Sequence, residues 1–105
     1  MMTQPQDITK VFHMQVLADR DREMHDLVSG VRARAMSDGA LPAKVKSLMA
    51  MLGDALNHRS TAVPVLANVA RSQGATEEEI METTEVAYWL GGIHAFNCAA
   101  EAFRK

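Results

Sequence analysis

Apolar residues recur at three- and four-residue steps along most of the chain, with polar and charged residues between them, the repeat of helices that each bury one face. Residues 1–7 are largely polar and contain Pro5, and residues 1–8 read as a flexible lead-in. Val11, Phe12, Met14, Val16 and Leu17 then begin a mostly helical segment. From about Asp19 to Met36, a stripe of Met24, Leu27, Val28, Val31 and Ala35 predicts an amphipathic helix, with Arg20, Asp21, Arg22, Glu23, Arg32 and Arg34 largely off the stripe. Gly30 inside it costs up to about 1 kcal/mol relative to Ala.

Ser37–Pro42 is the clearest punctuation. Gly39 is suited to a left-handed helix stop, and Pro42 to opening the next helix, where its missing N–H is no loss. A helix over about 42–56 then carries Val45, Leu48, Met49, Leu52 and Leu56. After the break Asn57–Thr61, Thr61 is placed to cap a helix over about 62–73 that ends at Gly74. Thr76 and Glu79 have the spacing of a capping box, and three glutamates in the first turn suit the positive end of a helix dipole. That helix runs to Gly91-Gly92, which end or bend it before a final segment over about 93–103. No stretch alternates long enough for a strand, so the expectation is an all-α single domain, residues 1–105, of about five or six helices.

Composition narrows the class. The 105 residues leave no room for a second core, and 48% hydrophobic with 23% charged residues fits a globular domain. A net charge of −2 argues against a nucleic-acid groove, and no run reaches the length of a membrane helix, so neither partner is expected. The N-terminus lacks the basic-then-apolar order of a secretory signal, and the expected location is the cytoplasm. Cys98, the sole cysteine, excludes a dithiol and fits a reducing compartment; it reads as a buried inert thiol, with an exposed one as the alternative. The methionines read as flexible core filler.

The run Gly39-Ala-Leu-Pro-Ala-Lys44-Val-Lys46-Ser-Leu48, then Gly74-Ala-Thr-Glu-Glu-Glu-Ile80 and Gly91-Gly92, at their mutual spacing, resembles the carboxymuconolactone decarboxylase family, and within it the alkylhydroperoxidase D-like branch, over about residues 10–105. The resemblance implies a helical subunit that assembles into trimers or hexamers. It also implies a thiol relay of a glutamate, a CxxC pair and a histidine, whose positions fall here at Ser47, Arg59, Ala62 and Leu66. All four depart from the pattern. Arginine and alanine offer no thiol, leucine relays no proton, and an unactivated serine is a poor base.

Two polar groups remain as candidates. Asp54 lies four residues before His58, so that with Ser47 on the same predicted helix and Arg59 adjacent, the break at Asn57–Thr61 could bind an anion or orient a proton transfer; a solvated helix end with an Asp–His pair is the alternative. Glu85, Tyr88, Trp89 and His94 could supply aromatic walls and polar groups to a ligand, or lie in the core or a subunit contact. The four histidines lack metal-ligand spacing, and no phosphate loop is present, so no metal or cofactor is expected. The sequence therefore points to a divergent member of the family without CxxC thiol peroxidase activity. The alternative is a noncatalytic helical oligomer that binds a small molecule or acts as an accessory protein.

Overall fold

The computed structural model describes residues 11–105, and the lead-in over 1–8 lies outside the described residues. Helices α1 (Phe12–Arg20), α2 (Arg22–Met36), α3 (Ala43–Leu56), α4 (Val63–Ser72) and α5 (Glu77–Ala99) are followed by a 3-10 turn, Ala100–Phe103. The fold is all-α, as expected, with no strand among the described residues.

The helix boundaries show which local signals prevailed. Asp21 leaves helical geometry and its carboxylate accepts the Met24 N–H at 3.1 Å, so one segment becomes two, α1 and α2. Gly39 does not act as the expected left-handed stop: α2 ends at Met36 because Ser37 is already extended. Pro42 stands just outside α3, whose Ala43 N–H is taken by Asp38 Oδ1 at 2.7 Å. Thr61 is not the cap of α4. The chain is already turned there, with Ala62 and Val63 both donating to the Arg59 carbonyl, and Ala62 precedes the helix in α conformation. The capping box at α5 forms in full: Glu79 N–H donates to Thr76 Oγ1 at 3.0 Å and Thr76 N–H to Glu79 Oε1 at 2.8 Å.

The core lies between α3, α4 and α5 and is built largely of small residues. Met51, Ala55, Val63, Ala67, Ala70, Ile80, Ala87, Ala95 and Ala99 are all fully buried. Small side chains let the helices approach closely, and polar clasps hold their ends. Lys44 of the Leu-Pro-x-Lys segment donates to Glu79 Oε2 at 3.0 Å, so the two motifs that carry the family resemblance meet in space. Arg71 grips both oxygens of Glu77 at 2.8 Å, donates to the Ala102 carbonyl at 3.0 Å and lies over the Phe103 ring, tying α4 to the start of α5 and to the 3-10 turn that follows it.

Large apolar side chains are displaced outward. α2 buries no residue, so its stripe of Met24, Leu27 and Val31 faces away from the core rather than into it. Met14 and Met51 fill interior space, but Met24, Met49 and Met81 are exposed, which corrects the reading of the methionines as core filler.

Candidate functional site

The site is set by how α3 ends. Beyond Leu56 the chain closes a Schellman turn: His58 N–H donates to the Ala55 carbonyl at 3.1 Å and Arg59 N–H to the Asp54 carbonyl at 2.8 Å. The pivot of this turn needs left-handed backbone, and His58 takes it with φ 58°. α4 ends in the same turn, Gly74 donating to Arg71 and Ala75 to Ala70, and there the pivot is glycine, with φ 99°. His58 is the sole described non-glycine residue with positive φ. A side chain there costs about 1–2 kcal/mol that glycine avoids.

The strain orients an imidazole toward α5. Gly92 breaks that helix with φ 76° and ψ −164°, and two residues later the His94 ring meets the His58 ring edge to face, 6.4 Å between centroids and 63° between planes. Gly91 allows the approach: a Cβ on it would lie 2.6 Å from Ala95 Cβ and 2.9 Å from Leu56 Cδ2, the last side chain of α3. One residue from each of the two candidate groups, His58 and His94, is thus brought into contact.

The Asp54–His58 pairing does not form, because α3 stops before the i, i+4 geometry is completed. Asp54 instead faces Arg59, with 3.7 Å between Oδ1 and Nη1. Burial pushes the Asp54 carboxyl above the ordinary aspartate range, and the Arg59 guanidinium opposes this less strongly. The folded state therefore holds the Asp54 proton more tightly than the unfolded chain does. Its ionisation weakens the fold as pH rises from the ordinary aspartate pKa, about 3.9, through the raised folded value. Asp54→Asn is expected to be more stable than the parent at pH 7, with the advantage shrinking below about pH 4; urea unfolding at both pH values measures it.

Ser47 stands apart. It is fully buried, and its hydroxyl donates to Gln73 Oε1 at 2.6 Å, a partner that nothing in the sequence marked. Ala62 is half-buried, and Leu66 packs against the core. Of the four positions that align with the relay, only Arg59 adjoins an imidazole in the chain, and its guanidinium faces Asp54. Glu85, Tyr88 and Trp89 do not join it either: all three are exposed, Trp89 at 86%, and Tyr88 stacks edge-on against Phe96 across the Gly92 break. Cys98 is half-buried against the core, between the two expected states.

Among the described residues, no group of three or more histidine, cysteine or acidic side chains could hold a metal ion, and no helix is long and apolar enough to cross a membrane. The end of α3 and the α5 break together offer two imidazoles in contact and, beside His58 in the chain, a mostly exposed guanidinium that faces the Asp54 carboxylate. Such groups can donate hydrogen bonds to a small anion.

The model of the carboxymuconolactone decarboxylase family matches residues 22–105, and the chain belongs to that family. No curated protein and no solved structure matches it.

Proposed function

We propose that this chain is an alkylhydroperoxidase D-like member of the family in which the thiol relay has been lost and His58, His94 and Arg59 bind a small carboxylate-bearing molecule and exchange a proton with it. The observation that carries this reading is the strained pivot at His58, which places one imidazole against another where the equivalent turn of α4 uses Gly74. The single cysteine leaves no resolving thiol for peroxide reduction and fits a reducing, cytoplasmic setting. Glu85, Tyr88 and Trp89 become surface contacts in this reading, and Ser47 a structural hydroxyl.

The site is open in the single chain, with both histidines exposed, and the large apolar residues on α2 and α5 favour a homo-oligomer of the trimer or hexamer kind. The same exposure supports the second reading, a noncatalytic oligomer that binds its ligand without turnover.

Dithiol-dependent peroxide reduction is expected to be absent. Titrating acetate or pyruvate is expected to shift the imidazole NMR signals of His58 and His94 saturably, and Arg59→Ala to remove the response. Peroxide turnover would overturn the loss of the relay, and unmoved imidazole signals at tens of millimolar carboxylate would overturn the binding site.

A further inference from the structure

We propose that α2 of one copy of this chain packs antiparallel on α5 of the next, in a head-to-tail contact that closes the open side of the His58–His94 site. The inference rests on the oligomeric reading above and names the surfaces that make it.

Both helices carry an apolar stripe that no other described residue covers. On α2 it is Met24, Leu27, Val28 and Val31, which line an open groove of about 540 Å³. On α5 it is Val86, Trp89 and Leu90, continued past the break by Ile93, and all four are exposed. Val86, Trp89 and Leu90 have the same i, i+3, i+4 spacing as Met24, Leu27 and Val28, so the two stripes match over one helical turn before the Gly92 break. Trp89 protrudes most, at 86% exposure, and the α2 groove is apolar and large enough to take an indole.

Charge selects both the pairing and its direction. α5 carries five glutamates and no lysine or arginine. Glu77 and Glu79 are held by Arg71 and Lys44, but Glu82 and Glu85, just before the stripe, have no ion-pair partner among the described residues. The second half of α2, from Ser29 onward, has Arg32 and Arg34 and no acidic residue. Arg34, just after the stripe, likewise has no carboxylate partner among the described residues. Apolar stripes laid antiparallel bring Arg34 of one copy to Glu82 and Glu85 of the next, whereas a parallel arrangement would carry Arg34 past Ile93, away from every free glutamate. The antiparallel register also sets the Met24 end of α2 beside Ile93, next to His94, where it walls the imidazole pair from solvent. Because the two faces differ, the contact is heterologous and closes into a ring when the rotation permits.

Disulfide trapping in a Cys98→Ala background tests the pairing without removing the apolar anchors. Arg34→Cys protein mixed with Glu85→Cys protein under mild oxidation is expected to give the mixed disulfide as the main linked species. Arg34→Glu or Glu85→Arg alone should weaken assembly by about tenfold or more in sedimentation velocity, and the double variant Arg34→Glu/Glu85→Arg should restore it. These positions are exposed, so circular dichroism should stay unchanged. A parent that is monomeric at all accessible concentrations would overturn both this inference and the oligomeric reading. An oligomer in which Glu85→Cys links only to itself, or in which the double charge swap restores nothing, would overturn the α2-on-α5 contact alone.

Discussion

Gly92→Ala is expected to lower the stability of the fold by about 1–3 kcal/mol, because Gly92 occupies a backbone region that is essentially closed to L-residues. The cost is conformational and not steric: a Cβ at Gly92 would meet nothing within 4 Å. Its neighbour is constrained for the opposite reason. Gly91 needs no special φ, but a Cβ there would press on Ala95 and Leu56. The paired glycines thus perform two different tasks, one turning the chain and the other letting α5 approach the end of α3. For a domain of this size each kcal/mol moves the midpoint of thermal unfolding by about 4–8 °C, so the loss is readable in a melting curve. D-Alanine at position 92, introduced by semisynthesis, separates the two costs, since the observed geometry is the mirror image of ordinary extended backbone. It is expected to retain the parent's stability while L-alanine does not. An L-alanine variant as stable as the parent would mean that α5 can straighten, and the His94 ring would then lose its place beside His58.

Much of the fold was legible because it is written in short-range chemistry. Thr76 and Glu79 announced the start of α5 through a reciprocal cap that depends on four consecutive residues, and Gly74 announced the end of α4 through its freedom at positive φ. The stripe on α2 was equally visible in the sequence, yet periodicity says only that a helix has an apolar face and not what covers it. The site was half legible. Asp54, His58, Arg59 and His94 were each singled out by residue type, but the meeting of His58 with His94 depends on two backbone events, the left-handed pivot at His58 and the break at Gly92. Histidine at a Schellman pivot gives no signal of its own, because glycine ordinarily marks that turn. Ser47 was misleading for the converse reason. Alignment with the relay drew notice to it, while its hydroxyl is occupied by Gln73, which lies 26 positions away in the chain and was an unremarkable helix-end residue in the sequence.

His58→Gly and Gly74→His decide whether the imidazole in the α3 turn is held for structure or for chemistry. The two turns are the same motif, so exchanging their pivots compares one strain in two settings. Placing histidine at Gly74 is expected to cost about 1–2 kcal/mol, the penalty for a side chain in left-handed backbone. Placing glycine at His58 relieves that penalty but returns about 0.5–1 kcal/mol through the greater freedom of the unfolded chain, and it forfeits the edge-to-face contact with His94, worth about 0.5 kcal/mol at an exposed site. His58→Gly should therefore hold the parent's stability or exceed it by up to about 1 kcal/mol in urea unfolding. The same variant is expected to abolish the saturable response of His94 to carboxylates. A residue that can be removed at no cost to the fold, and whose loss silences its neighbour, is kept for what its side chain does. Destabilisation by more than about 1 kcal/mol would reverse the conclusion, making the ring pair a structural clasp between α3 and α5 and leaving Arg59 without an imidazole partner for its ligand.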